Sequence, residues 1–205
     1  VVTQNIDGLH AKAGTSSDRL VEVHGTNTEA ECQTCGERSA PDPHYNSFMA
    51  TGKPPICPCG GYLKTATISF GQNLHEEELH RATLAANNAD LVIALGSTLS
   101  VYPAATFPLL AAEQGAPYVI INQGETDHDD YDTVTLRLEG NVNEIFHQAV
   151  ALALKSLPIH NMFRPEQAKL RTGEAYNEHS ESSANRRWQH FCVVEIRKFV
   201  DSQFL

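Results

Sequence analysis

Apolar runs alternate with stretches of helical period along most of the chain, and their spacing predicts a regular series of strands and helices. Residues 1–3 open as a short strand and residues 20–23 form another. A short apolar strand is expected from Thr67 to Ser69, and residues 75–88 place Leu79, Ala82, Ala85 and Ala86 on one helical face. Residues 90–95 read as a buried strand ending at Gly96. Pro103 suits a first helical turn, and residues 104–114 form a helix stopped by Gly115. Strands at 118–121 and 134–138 follow, then a closing helix over 143–156. Strands that are apolar along their whole length and alternate with helices imply a parallel sheet covered on both faces, a doubly wound α/β fold.

The stretch 26–65 departs from this pattern. It is rich in Cys, Pro, Gly and polar residues, has little periodicity, and reads as an insertion. The expected organisation is a Rossmann-like domain over 1–26 and 67–157 with a metal-binding lobe over 27–66. Beyond Leu157-Pro158 the composition turns polar, so 158–205 reads as a linker followed by a packing helix over 187–204 through Trp188, Phe191, Val194, Ile196 and Phe199.

Size and charge narrow the function. A chain of 205 residues with 41% hydrophobic and 20% charged residues suits one globular domain with a modest insertion. A net charge of -10 provides no basic stripe for phosphate backbones, so nucleic acid is not an expected direct ligand, while a basic peptide is tolerated. The longest strongly apolar stretch, 91–95, is far too short to span a membrane, and no leader with a basic start and apolar centre is visible. Because Val1 already lies inside a strand, further residues are expected before it. Four of the five cysteines fall within 32–59, which favours a metal site in a reducing, cytoplasmic compartment over disulfides.

The cysteines stand as Cys32-Gln33-Thr34-Cys35 and Cys57-Pro58-Cys59. Two thiolate pairs on tight turns suit one structural zinc ion, and four protein ligands leave no position open for catalysis. The single-residue spacer of the second pair is unusual. Catalytic chemistry is expected elsewhere, at strand ends, where ligands of parallel sheets bind. In Thr3-Gln4-Asn5-Ile6-Asp7-Gly8-Leu9-His10 the strand period sets Asn5 and Asp7 on one face, and the competing reading is that both only cap a short helix. His24, between the strand at 20–23 and Gly25, has the side chain suited to general-base work near neutrality. His75, His80, His128, His147, His160, His179 and His190 are expected at the surface. Gly96-Ser97-Thr98 offers backbone N–H groups and hydroxyls to phosphate, and Asn122 falls at the next strand end, where a ribose would meet it.

In this order the motifs resemble the sirtuins of bacterial type: residues 3–10, Glu22-Val23-His24-Gly25, the two cysteine pairs, Ser69-Phe70-Gly71, the run from Gly96 to Pro103, and Ile120-Ile121-Asn122. The resemblance covers residues 1 to about 155. It implies an NAD-dependent protein lysine deacylase that releases nicotinamide and O-acyl-ADP-ribose from NAD and an acyl-lysine peptide. By that resemblance His24 is the base acting on a ribose hydroxyl. Gln4, Asn5 and Asp7 line the nicotinamide pocket, Gly96, Ser97 and Thr98 meet phosphate and ribose, Asn122 the adenosine ribose, and Val142 the adenine. Phe70, Gly71 and Val101 border a peptide that adds as an extra strand, and Cys32, Cys35, Cys57 and Cys59 hold the zinc. Gln72 stands where glutamate is more usual. The family's glycine-rich phosphate loop would lie before position 1, so weak NAD binding is expected of these residues alone. A truncated non-catalytic module, ADP-ribosyl transfer and a nicotinamide-dependent oxidoreductase are the alternatives.

Overall fold

In the computed structural model, residues 1–156 and the backbone of 191–195 are described. The main sheet has six strands, all parallel: β1 (Val2–Thr3), β2 (Val21–Glu22), β6 (Leu91–Leu95), β7 (Tyr118–Asn122), β8 (Val134–Glu139) and β9 (Phe191–Glu195). Their spatial order is β2-β1-β9-β6-β7-β8. Helices α1 (Leu9–Lys12), α3 (Glu76–Asn87), α4 (Thr106–Glu113) and α5 (Val142–Ser156) connect or follow them.

Alternation along the strands decides where the core lies. Val92 and Ala94 of β6, with Tyr118 and Ile120 of β7, share one face with Ala82 and Ala86 of α3 and Phe107 and Ala111 of α4. Phe107, Tyr118 and Ile120 are buried almost completely, and each such side chain contributes about 1.5–3 kcal/mol. Alanines on α3 and α4 let these two helices approach closely over the strands. The amphipathic helix α5 lies against β7 but buries none of its side chains fully, so coverage of the sheet is uneven. Among the described residues, no helix is long and apolar enough to cross a membrane.

The inserted stretch has more regular structure than its sequence pattern predicts. β3 (Gly25–Cys32), β4 (Arg38–Ser39) and β5 (Leu63–Thr67) form an antiparallel sheet in the order β4-β3-β5, beside helix α2 (Pro41–Thr51). α2 begins on proline at its first turn and stops at Gly52 in the left-handed conformation. The strand expected from Thr67 to Ser69 instead ends at Thr67, because residues 63–67 pair with β3 and the chain then turns.

The tail corrects a second expectation. Where an amphipathic helix was predicted, residues 191–195 form β9, hydrogen-bonded between β1 and β6. Phe191-Cys192-Val193-Val194 is a β-forming run, and a central slot satisfies its backbone groups on both sides, which outweighs a weak helical periodicity. The linker expected from 158 and the rest of the predicted helix lie outside the described residues.

Candidate active site

A parallel sheet brings all its carboxyl ends to one edge, so the residues following β1, β2, β6 and β7 share one side of the molecule. Gln4, Asn5 and Asp7 leave β1, His24 leaves the neighbouring β2, Gly96-Ser97-Thr98 follow β6 and Asn122 ends β7. Val23 N–H donates to the Thr3 carbonyl at 3.0 Å, fixing the register that sets His24 beside Gln4. Asn5 N–H donates to the Thr3 hydroxyl at 3.0 Å, and Asp7 accepts from Leu9 N–H at 3.0 Å. The carboxylate of Asp7 therefore does cap the short α1, and the amide of Gln4 is buried with its Nε2 unpartnered among the described residues.

His24 is half-buried. Burial pushes its pKa below the ordinary 6.5, opposed in part by a hydrogen bond to the Gln4 backbone. The result is a neutral, oriented imidazole at pH 7, the state a general base needs. Gly25 follows in the left-handed region at φ 73°. A Cβ there would run into the Ala66 carbonyl oxygen, so only glycine lets β3 leave His24 this close to β5.

After β6 the chain makes a strained turn. Gly96 has φ 62° and Leu99, a residue with a side chain, has φ 56°. A left-handed leucine costs about 1–2 kcal/mol, which the near-complete burial of its side chain offsets by about 1.5–3 kcal/mol. Ser97 is buried and its hydroxyl accepts Leu99 N–H at 2.9 Å. Its side chain therefore shapes the turn, and what it offers a ligand is chiefly backbone. Gly96 and Asn122 line a cleft of about 300 Å³ together with Leu95, Gln123, Val142 and Asn143. This brings together three of the positions expected to meet adenosine and phosphate.

The loop after Asn122 carries groups that sequence reading missed. The Arg137 guanidinium donates to Asp129 at 2.8 Å, to the Asn122 carbonyl at 3.1 Å and to the Gly124 carbonyl at 2.5 Å. Thr126 N–H donates to the same Asp129 carboxylate at 3.0 Å. His128, expected at the surface, is instead fully buried. The dense run of acidic and histidine residues at 127–130 was the available signal, but charge on a loop normally marks solvent exposure.

Phe70 is fully exposed at the tip of a turn after β5. Lys64 fixes this turn, donating to the Thr67 carbonyl at 2.5 Å and to Gln72 Oε1 at 3.1 Å, and the same Oε1 accepts Ser69 N–H at 2.9 Å. Gln72 thus closes the turn with its amide oxygen, without a carboxylate. Val101, at the other expected edge, is exposed as well.

The four cysteines converge in the lobe. Sγ atoms of Cys32 and Cys59 stand 3.5 Å apart, those of Cys35 and Cys57 3.7 Å, and all four lie within 4.8 Å of one another. A tetrahedron with metal–sulfur bonds of about 2.3 Å has edges of about 3.8 Å, so the set fits one zinc ion. The short spacer is accommodated by a turn in which Gly60 N–H donates to the Cys57 carbonyl and Cys57 N–H to the Gly61 carbonyl, both at 2.8 Å. Gly61 is obligatory, since a Cβ would stand 2.6 Å from Cys32 Sγ. Backbone N–H groups of Cys35 and Thr34 hold the Cys32 thiol down to about 6, a thiolate at neutral pH. At Cys57 the Cys59 N–H also favours the thiolate, but burial and the other sulfurs together outweigh it, as expected of four thiols that need a cation between them.

A sequence profile of the Sir2 family matches residues 1–103. The chain is 44% identical over 137 residues to NAD-dependent protein deacetylase 1 of Bradyrhizobium diazoefficiens, covering 67% of this chain and 54% of the relative. It is 36% identical over 159 residues to the NAD-dependent protein deacylase Sir2 of Mycolicibacterium smegmatis, covering 77% and 63%. It therefore spans about half to two thirds of the length of these curated relatives. Among solved structures it is similar, at TM-score 0.68 and 34% identity, to Sir2Tm bound to a propionylated peptide, over 76% of this chain and 64% of that one. A Sir2–p53 peptide–NAD+ structure matches at the same TM-score and identity, over 76% and 63%.

Proposed function

The chain belongs to the Sir2 family, and from that premise we propose that it acts as an NAD-dependent protein lysine deacylase releasing nicotinamide and O-acyl-ADP-ribose. The observation that carries the reading is His24. It is neutral through burial, anchored to the Gln4 backbone, and set at the strand edge that also bears Asn5, Asp7 and Gly96. NAD, when bound, supplies an activated ribosyl carbon as acceptor for the acyl oxygen.

The chain's own residues divide the remaining work. Gln4, Asn5 and Asp7 border the nicotinamide end, Ser97 and Thr98 offer backbone N–H groups to phosphate while the Gly96 N–H is held by the Ile121 carbonyl at 2.9 Å, and Asn122 and Val142 hold adenosine in the 300 Å³ cleft beside Gly96. His24 accepts a proton from a ribose hydroxyl on the ring nitrogen that the Gln4 backbone does not engage. The substrate lies as an added strand between Phe70-Gly71 and Val101, a reading supported by the exposed apolar side chains of Phe70 and Val101. Cys32, Cys35, Cys57 and Cys59 hold one zinc whose role is to fix the lobe. A four-cysteine metal cluster in place of disulfides also supports a cytoplasmic setting.

The test is product analysis with NAD and an acetyl-lysine peptide. Nicotinamide release that depends on the peptide, with O-acetyl-ADP-ribose detected by mass spectrometry and both lost in His24→Ala, supports the reading. NADH formation would point to hydride transfer instead, and ADP-ribose on protein without deacylated peptide would point to ribosyl transfer.

A further inference from the structure

His128 is a buried titratable group with no part in the chemistry above. Its side chain is fully enclosed. Nδ1 lies 3.0 Å from the Tyr118 hydroxyl, the ring stacks on Tyr131 with centroids 4.9 Å apart, and Nε2 is buried with no hydrogen-bond partner among the described residues. The loop that carries it, residues 123–131, joins two parts of the site. At one end Arg137 ties Asp129 to the carbonyls of Asn122 and Gly124. At the other, Asp127 N–H donates to the Thr98 carbonyl at 2.9 Å, and Tyr102 interacts with Tyr131 and Asp127.

We propose that His128, as a neutral imidazole, is a positioning residue that locks loop 123–131 onto the turn 96–102 and so holds Asn122 and Thr98 in register with the peptide edge at Val101. The functional half of this statement rests on the deacylase reading; the locking half does not. In the tautomer with its proton on Nδ1, a neutral ring donates its single N–H to the Tyr118 hydroxyl and leaves Nε2 only as a bare acceptor. A protonated ring carries N–H on both nitrogens, one of them buried with no acceptor, and brings a charge into an enclosed site.

The groups facing His128 are Tyr118 from β7 and Asp127, Asp129 and Tyr131 from its own loop, with Arg137 of β8 behind Asp129. Burial lowers its pKa, Asp127 and Asp129 oppose, and burial prevails. The sign follows from linkage. An opened loop titrates near the ordinary 6.5 and the locked loop below it, so locking is at full strength above 6.5 and weakens as pH falls toward the lowered value.

Amide hydrogen exchange on the whole protein without NAD tests the lock directly, with intrinsic exchange rates divided out. Protection of residues 125–131 should fall as pH drops from about 7.5 to about 5.5, on either side of the ordinary histidine pKa, and should be flat with pH in His128→Asn, which keeps a partner for Tyr118 but cannot titrate. In steady state Tyr118→Phe should raise KM for NAD several-fold with kcat little changed. Protection independent of pH in the unaltered protein overturns the proposal, as does an equal pH-dependent loss in His128→Asn. The unaltered protein decides the question even if the variant does not fold. A pH-dependent loss of protection in a protein that binds both NAD and the acyl-lysine peptide yet releases no nicotinamide would leave the lock standing and refute the deacylase reading.

Discussion

Replacing Gly25 with alanine should damage the site through the backbone alone. Gly25 pairs with Thr67 across β3 and β5 at φ 73°, and an added Cβ would overlap the Ala66 carbonyl oxygen while standing 3.1 Å from the Ala66 carbonyl carbon and 3.2 Å from Thr67 Cα. All three are backbone atoms, so no side-chain rotation relieves the contact. The left-handed conformation alone costs an alanine about 1–2 kcal/mol. Separating the strands also sacrifices the pairing around it, including the bond from Ile68 N–H to the His24 carbonyl at 2.9 Å. Two such bonds at about 0.5–1.5 kcal/mol each bring the total to about 2–5 kcal/mol. For a chain of this size that lowers Tm by roughly 4–20 °C. Gly14→Ala is the control, since Gly14 has φ 94° but no atom within 4 Å of an added Cβ, leaving conformational strain alone. Thermal unfolding by circular dichroism compares the two. Equal losses in both variants would refute the argument that contact with β5 makes Gly25 obligatory.

Three further outcomes are expected. Cys32→Ser should purify with less than one equivalent of zinc and unfold earlier, and chelation of the unaltered protein should do the same; full metal content in the variant, read by a colorimetric zinc assay, would exclude Cys32 as a ligand. Deacylation should keep its rate at neutral pH and decline as pH falls through the His24 pKa, which burial sets below 6.5, so an acid limb of kcat/KM centred above 6.5 would contradict a buried neutral base. Phe70→Ala should leave Tm unchanged, because the side chain is fully exposed, yet raise KM for the peptide; unchanged peptide kinetics would remove Phe70 from the substrate rim.

The parts of the molecule that were legible in sequence are those whose physics is local. Strands at 91–95 and 118–121 are apolar throughout, and the spacing along helix α3 announces the buried Ala82 and Ala86, although Ala85, expected on the same face, is exposed, so the sheet and its strand ends followed from pattern alone. The cysteine pairs were legible because a metal demands ligands at short, fixed intervals. Within the insertion, β3 alternates polar and small residues and its partners are distant, so neither it nor α2 shows a strong period.

What the sequence determined by itself was therefore the fold class, the cysteine quartet and the order of polar groups at strand ends. The tertiary structure alone decided the rest. It placed residues 191–195 between β1 and β6, since a central slot satisfies two ladders that no local window can anticipate. It also drew His128 from a charged loop into the interior against Tyr118 and Tyr131. Burial is a property of neighbours brought from elsewhere in the chain, and the same histidine in solvent would have no lock to hold.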